Sequence, residues 1–124
     1  MKLFICQHCG NIAEMIKDSQ VNPHCCGEKM LLLNAKESEE GQEKHLPVVS
    51  IENNVVSIKV GSTAHPMIPT HYIGFIFLET DKKVYRANLS SEDKPQCQFI
   101  ISDEEKPLAV YEYCNLHGLW KTTI

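Results

Sequence analysis

Cys6-x-x-Cys9 and the adjacent Cys25-Cys26 stand fifteen residues apart within residues 1–36, a stretch with too few apolar side chains for a core of its own. A segment this short folds only if something besides hydrophobic burial closes it. Two pairs of thiols can do so by holding one metal ion, whose binding contributes on the order of 10 kcal/mol of folding free energy at comparable structural sites. Each pair is followed by a glycine, Gly10 or Gly27, which lets the backbone turn so that amide N–H groups point at the sulfurs. Apolar runs at Phe4-Ile5 and at residues 30–33 read as short strands flanking the pairs. A zinc ribbon would repeat Cys-x-x-Cys, whereas vicinal cysteines cannot both bind a tetrahedral ion without distorting the angle between their sulfurs. A distorted four-thiolate iron site is therefore the preferred reading, with structural zinc and disulfides as alternatives. His8 and His24 lie inside the knuckle, but four thiolates already close a tetrahedral shell, so both are expected at the surface.

The chain holds six cysteines and six histidines in 124 residues. Met1-Lys2-Leu3-Phe4-Ile5-Cys6 lacks the apolar run of an export signal, and no stretch approaches the roughly 20 apolar residues that span a bilayer. The expectation is a soluble, cytoplasmic protein whose cysteines serve metal or redox chemistry. A net charge of -4 without a basic stripe argues against nucleic-acid binding. A small anionic substrate would need local positive charge.

Residues 36–43 are charged, polar and without periodicity, which marks a solvated linker or surface loop and places a domain boundary between 1–36 and 37–124. Beyond it the pattern is β. Residues 48–51 and 55–60 form a hairpin about Asn53-Asn54, and strands follow at 72–79, 84–89, 96–101 and 108–113. About seven short strands with close turn signals and no convincing helix indicate an all-β chain: a metal knuckle followed by an antiparallel β-sandwich of immunoglobulin-like architecture.

A second constellation lies in the sandwich. Cys114-Asn115-Leu116-His117-Gly118 puts a thiol and an imidazole three residues apart beside a turn glycine, and His45, His65 and His71 sit at segment edges upstream. Pro47 and Pro66 stiffen the backbone close behind two of them. Four imidazoles with a thiolate are more than tetrahedral zinc requires and suit iron. Five ligands in a square pyramid leave one position open, and a thiolate trans to it would push electron density onto whatever binds there. Cys97, between glutamines in a strand pattern, reads as packing, and Trp120 is either core or a cover beside His117.

These motifs together resemble desulfoferrodoxin, the two-iron form of superoxide reductase, over essentially the whole length. The residues that carry the resemblance are Cys6-x-x-Cys9 with Cys25-Cys26, Glu43-Lys44-His45-Leu46-Pro47, His65-Pro66-Met67, His71-Tyr72-Ile73 and Cys114-Asn115-Leu116-His117-Gly118. The resemblance implies a desulforedoxin-like first domain with one non-haem iron on Cys6, Cys9, Cys25 and Cys26. It implies a second non-haem iron with His45, His65, His71 and His117 as equatorial ligands and Cys114 as the axial one. Glu43 would bind the open position of the oxidised resting iron, and Lys44 would attract superoxide and order water for proton delivery. The implied reaction is one-electron reduction of superoxide to hydrogen peroxide at ferrous iron, re-reduced by rubredoxin or a similar small carrier, in a homodimer. The competing functions are a superoxide dismutase, a non-catalytic iron electron-transfer protein, and an interaction module with a zinc knuckle.

Overall fold

A computed structural model describes all 124 residues, and its short strands pair both with their neighbours in sequence and across longer connections. They fall into two units, Met1–Asn34 and Ala35–Ile124. The first unit has only very short strands: β1 (Leu3–Ile5), β2 (Ile12–Glu14), β3 (His24–Cys25), β4 (Glu28–Lys29) and β5 (Leu31–Leu32). β1 is the centre of an antiparallel sheet ordered β2-β1-β5, and β3 pairs with β4 in a separate hairpin. Its buried apolar residues are Leu3, Phe4, Cys6 and Met30. Hydrophobic burial of that size does not hold a unit together.

The β3–β4 hairpin explains how adjacent cysteines can serve one site. Cys25 pairs with Glu28 across the hairpin, so the two-residue turn is Cys26-Gly27, and both have positive φ, 54° and 76°. That is the φ pattern of a type I′ turn, which suits glycine at its second position. One cysteine therefore belongs to a strand and the next to a left-handed turn, which aims their side chains differently.

Near the start of the second unit, the Lys36 N–H donates to Leu119 O and its carbonyl accepts from Lys121 N, each at 2.9 Å. One helical turn follows, α1 (Gln42–His45), where the sequence reads as loop. Seven strands come after it: β6 (Pro47–Glu52), β7 (Val55–Val60), β8 (Ile73–Thr80), β9 (Val84–Asn88), β10 (Gln96–Ile100), β11 (Pro107–Cys114) and β12 (Gly118–Thr123). They form a three-stranded sheet ordered β10-β7-β6 and a four-stranded sheet ordered β12-β11-β8-β9, all antiparallel. The inward residues Val56, Ile58 and Val60 of β7 meet Ile73, Ile76 and Leu78 of β8 and Val110 and Cys114 of β11 in one buried cluster. The all-β, antiparallel reading holds. β12 is an additional strand that the alternation signal does not reveal. No helix is long and apolar enough to cross a membrane.

Candidate metal centres

In the first unit the ligand atoms of Cys6, Cys9, Cys25 and Cys26 all lie within 4.8 Å of one another. Cys9 Sγ is 3.6 Å from Cys25 Sγ, and Cys25 Sγ is 3.9 Å from Cys26 Sγ. All six thiols of the chain are free, and these separations far exceed the ~2.05 Å of a disulfide bond, so the disulfide alternative fails. Asn11 N–H is directed at Cys9 Sγ at 3.5 Å, as expected of a thiolate site. Backbone hydrogen bonding at Cys9 lowers the Cys6 thiol to about 6, while the crowding sulfurs, Cys9 foremost, push Cys26 up to about 12. Four thiols that cannot all ionise alone call for a cation among them. His8 and His24 are exposed, and His8 pairs with Glu28 at 3.0 Å.

The second site is assembled from four places in the sandwich unit. His45 ends α1, immediately before Leu46 and the strand-opening Pro47. His65 follows β7 in a loop. His71 exchanges two backbone hydrogen bonds with Ile68, each 3.0 Å, just ahead of β8. Cys114 closes β11, and the tight β11–β12 hairpin brings His117 back beside it, with Gly118 paired to Cys114 at φ 82°. Asn115 clips two of these segments together: its Oδ1 accepts from Tyr72 N at 2.9 Å and its Nδ2 donates to Thr70 O at 3.0 Å.

The four imidazoles close a ring of edge-to-face contacts. Centroid separations are 4.8 Å for His45–His65, 4.6 Å for His65–His71, 5.1 Å for His71–His117 and 4.8 Å for His45–His117. The ligand atoms of His45, His65, His71 and Cys114 lie within 4.8 Å of one another. His117 joins them through Nδ1, 3.1 Å from His45 Nε2 and 3.7 Å from Cys114 Sγ.

The proton positions test whether a metal fits. His45 Nδ1 lies 2.9 Å from Gly41 O and His65 Nδ1 lies 2.7 Å from Pro66 O. A carbonyl only accepts, so both Nδ1 atoms carry protons and both Nε2 atoms are lone pairs in the neutral rings. Those two lone pairs face each other at 3.3 Å. Burial disfavours an imidazolium that would relieve the contact: it holds His65 down to about 4 and shifts His45 and His71 the same way. His71 Nε2 is buried without any hydrogen-bond partner. Converging, unprotonated nitrogens beside a thiol are satisfied by a cation, and four imidazoles with one thiolate fit iron better than tetrahedral zinc.

A cavity of about 480 Å³ opens on this ring, lined by His45, His71 and His117 together with Lys36, Glu43 and Lys44. Cys114 is fully buried and does not line it. Trp120 has both of its possible roles: it is 2% exposed, stacks on His45 at 4.7 Å and 15°, and donates from Nε1 to His117 O at 3.1 Å. Cys97 is half-buried against the sandwich core, and burial pushes its thiol up to about 11, in keeping with packing.

Two residues of this region are not apparent from motif reading. Lys36 reaches His117 O with Nζ at 3.2 Å across 81 residues of sequence, and no local signal could announce that contact. Glu112 is wholly buried on β11, and burial pushes its carboxyl up to about 9, so it is neutral. Its signal is the two-residue period, since Val110, Glu112 and Cys114 share one face of the strand.

A family model described as desulfoferrodoxin matches residues 37–123. The desulfoferrodoxin of Syntrophotalea carbinolica is 43% identical over 122 residues, 98% of this chain and 95% of that protein. A desulfoferrodoxin homolog of Archaeoglobus fulgidus is 40% identical over 122 residues, 98% of this chain and 96% of its own. The crystal structure of the superoxide reductase from Treponema pallidum is 31% identical and superposes with a TM-score of 0.83, covering 98% of this chain and 96% of that one. With both donor sets assembled and the likeness extending over both units, the chain belongs to the desulfoferrodoxin family.

Proposed function

We infer that the protein is a superoxide reductase, an oxidoreductase that reduces superoxide by one electron to hydrogen peroxide. The observation that carries the reading is a cavity that reaches three imidazoles of a four-imidazole ring but not the buried thiol beside it. Iron held there by His45, His65, His71, His117 and Cys114 would supply the electron and the coordination position for a small oxygen anion. Cys6, Cys9, Cys25 and Cys26 would hold the other iron.

The chain's own residues supply the rest. His45 and His65 are locked in one tautomer by Gly41 O and Pro66 O, which keeps Nε2 free to coordinate. Burial of Cys114 keeps water from its sulfur. Lys44 is exposed at the cavity on a protein of net charge -4, so its ammonium is the local attraction for superoxide and a place to hold the water that delivers protons. Glu43 supplies a carboxylate at the same cavity, where it would be available to bind an oxidised iron held by the ring.

The same reading makes residues 1–36 a desulforedoxin-like iron domain and 37–124 the catalytic domain, with the three-plus-four strand arrangement supporting an immunoglobulin-like classification. Six free thiols suit a reducing compartment, the cytoplasm. Family resemblance suggests rubredoxin or a similar small carrier as electron donor and a homodimer as the working form.

The test combines metal content with stoichiometry on anaerobically purified protein. Two irons per chain, one donor electron consumed per superoxide and no dioxygen released from it would be the reductase result. Dioxygen release without a donor would identify a dismutase, and zinc persisting in both sites after iron reconstitution would overturn the redox reading.

A further inference from the structure

Lys36 is built into the histidine site in a way that the rest of the mechanism leaves unused. Its backbone is bridged to Trp120 by two 2.9 Å hydrogen bonds, to Leu119 and Lys121, so the residue is fixed beside β12. From there Nζ donates to His117 O at 3.2 Å, the same oxygen that accepts Trp120 Nε1–H at 3.1 Å. Nζ also lies 5.3 Å from the centroid of the Trp120 ring, within cation–π range, and that ring stacks on His45. Lys36 lines the cavity together with His45, His71, His117 and Lys44.

A lysine tethered by a carbonyl, a ring face and a backbone bridge differs from Lys44, which is exposed on a four-residue helix. A tethered ammonium loses little further entropy when an anion approaches, whereas a mobile one must be ordered at that moment. Glu39, 3.8 Å from Nζ, tempers the charge without neutralising its position.

Resting on the superoxide reductase reading, we propose that Lys36 is a second, fixed steering cation of the cavity, drawing the anionic substrate toward the imidazole ring in concert with Lys44. Steering by a charge of this kind is a rate effect that fades as the Debye length shrinks.

The test uses the two-iron protein with three variants: Lys36→Met, which keeps the stem and loses the charge; Lys36→Arg, which keeps the charge; and Glu39→Gln, which releases the counter-charge. In Lys36→Met the second-order rate constant with superoxide should fall about threefold near 10 mM ionic strength and converge on the parent value by about 0.5 M. Lys36→Arg should stay close to the parent, and Glu39→Gln should be faster at low salt. Azide, read from the visible spectrum of the oxidised histidine site, should bind Lys36→Met more weakly by a similar factor at low salt. A rate loss equal at all salt concentrations would overturn the proposal in favour of a packing role, and so would unchanged rate and azide affinity. If the parent protein does not consume superoxide at the expense of a donor, the enzymatic reading fails. The azide series then still decides whether Lys36 draws anions to this site.

Discussion

The two units of this chain solve opposite problems. Met1–Asn34 buries four apolar residues, and two of its four grouped cysteines, Cys9 and Cys26, are exposed. Ala35–Ile124 has a continuous core drawn from both sheets that includes Cys114, and its His45 and His65 are buried as well. In the first unit the ion has to organise the chain, because nothing else is large enough to do so. In the second the strands and hairpins position the donors, and the facing Nε2 atoms of His45 and His65 and the buried Nε2 of His71 converge where a cation would satisfy them.

Removing ligands should break this symmetry with the largest effect. Cys25→Ala should cost the first unit most of the ~10 kcal/mol that metal binding contributes to a fold of this kind. Hydrogen exchange should then show unprotected amides throughout residues 1–34 and an unchanged pattern across β6 to β12. Cys114→Ser should do the reverse, abolishing the thiolate absorption of the histidine site while the sandwich melts near its parent temperature. Protected amides in a metal-free first unit would refute the contrast.

A smaller effect tests whether the sandwich is a mould for its donors. Gly61 packs directly under the segment that carries Glu43, Lys44 and His45, and a Cβ there would lie 2.8 Å from Glu43 O and 3.0 Å from Leu46 O. Both neighbours are backbone atoms that cannot rotate aside, so Gly61→Ala must displace α1. Overpacking of this kind costs about 1–3 kcal/mol. Iron retention should fall at the histidine site and remain complete at the four cysteines, measured as iron per chain after mild chelation. Equal retention at both sites would mean that α1 adapts and that His45 is not held by the fold.

The same contrast governs what could be read from the sequence. The knuckle is legible because its cysteines and glycines are local, and Gly27 is required by a turn only two residues long. The strands of the sandwich are legible from alternation, with β11 extending from Pro107 to Cys114 around the expected 108–113. β12 escapes because its start coincides with the Cys114–Gly118 motif, which reads as metal chemistry and hides a hairpin. α1 escapes because four residues carry no helical period and owe their conformation to tertiary contacts. The grouping of His45, His65, His71, His117 and Cys114 was suggested by motif, but the locked tautomers and the roof formed by Trp120 and Lys36 depend on contacts between distant segments.

The smallest expected effect concerns how the sandwich stays folded without help from an ion. Glu105 is nearly buried, and its carboxylate accepts hydrogen bonds from Thr80 Oγ1 at 2.9 Å, Tyr85 OH at 2.6 Å and Ser102 N at 2.9 Å. The Tyr85 hydroxyl, the backbone N–H of Ser102 and the Thr80 hydroxyl together hold it at about 2, against an ordinary 4.5. A depressed carboxylate contributes stability that is complete above the unfolded value near 4.5 and is lost as pH falls through about 2. Glu105→Gln should therefore lower the melting temperature of the sandwich by about 4–8 °C at neutral pH, and the gap to the parent should narrow between pH 5 and pH 3. Comparing variant with parent at each pH cancels acid release of metal, which both share. A gap that stays constant with pH would show that the three hydrogen bonds act without the carboxylate's charge. A gap that narrows would tie the metal-independent stability of this unit to a buried anion, whereas the first unit depends on thiolates that acid protonates and a metal that acid removes.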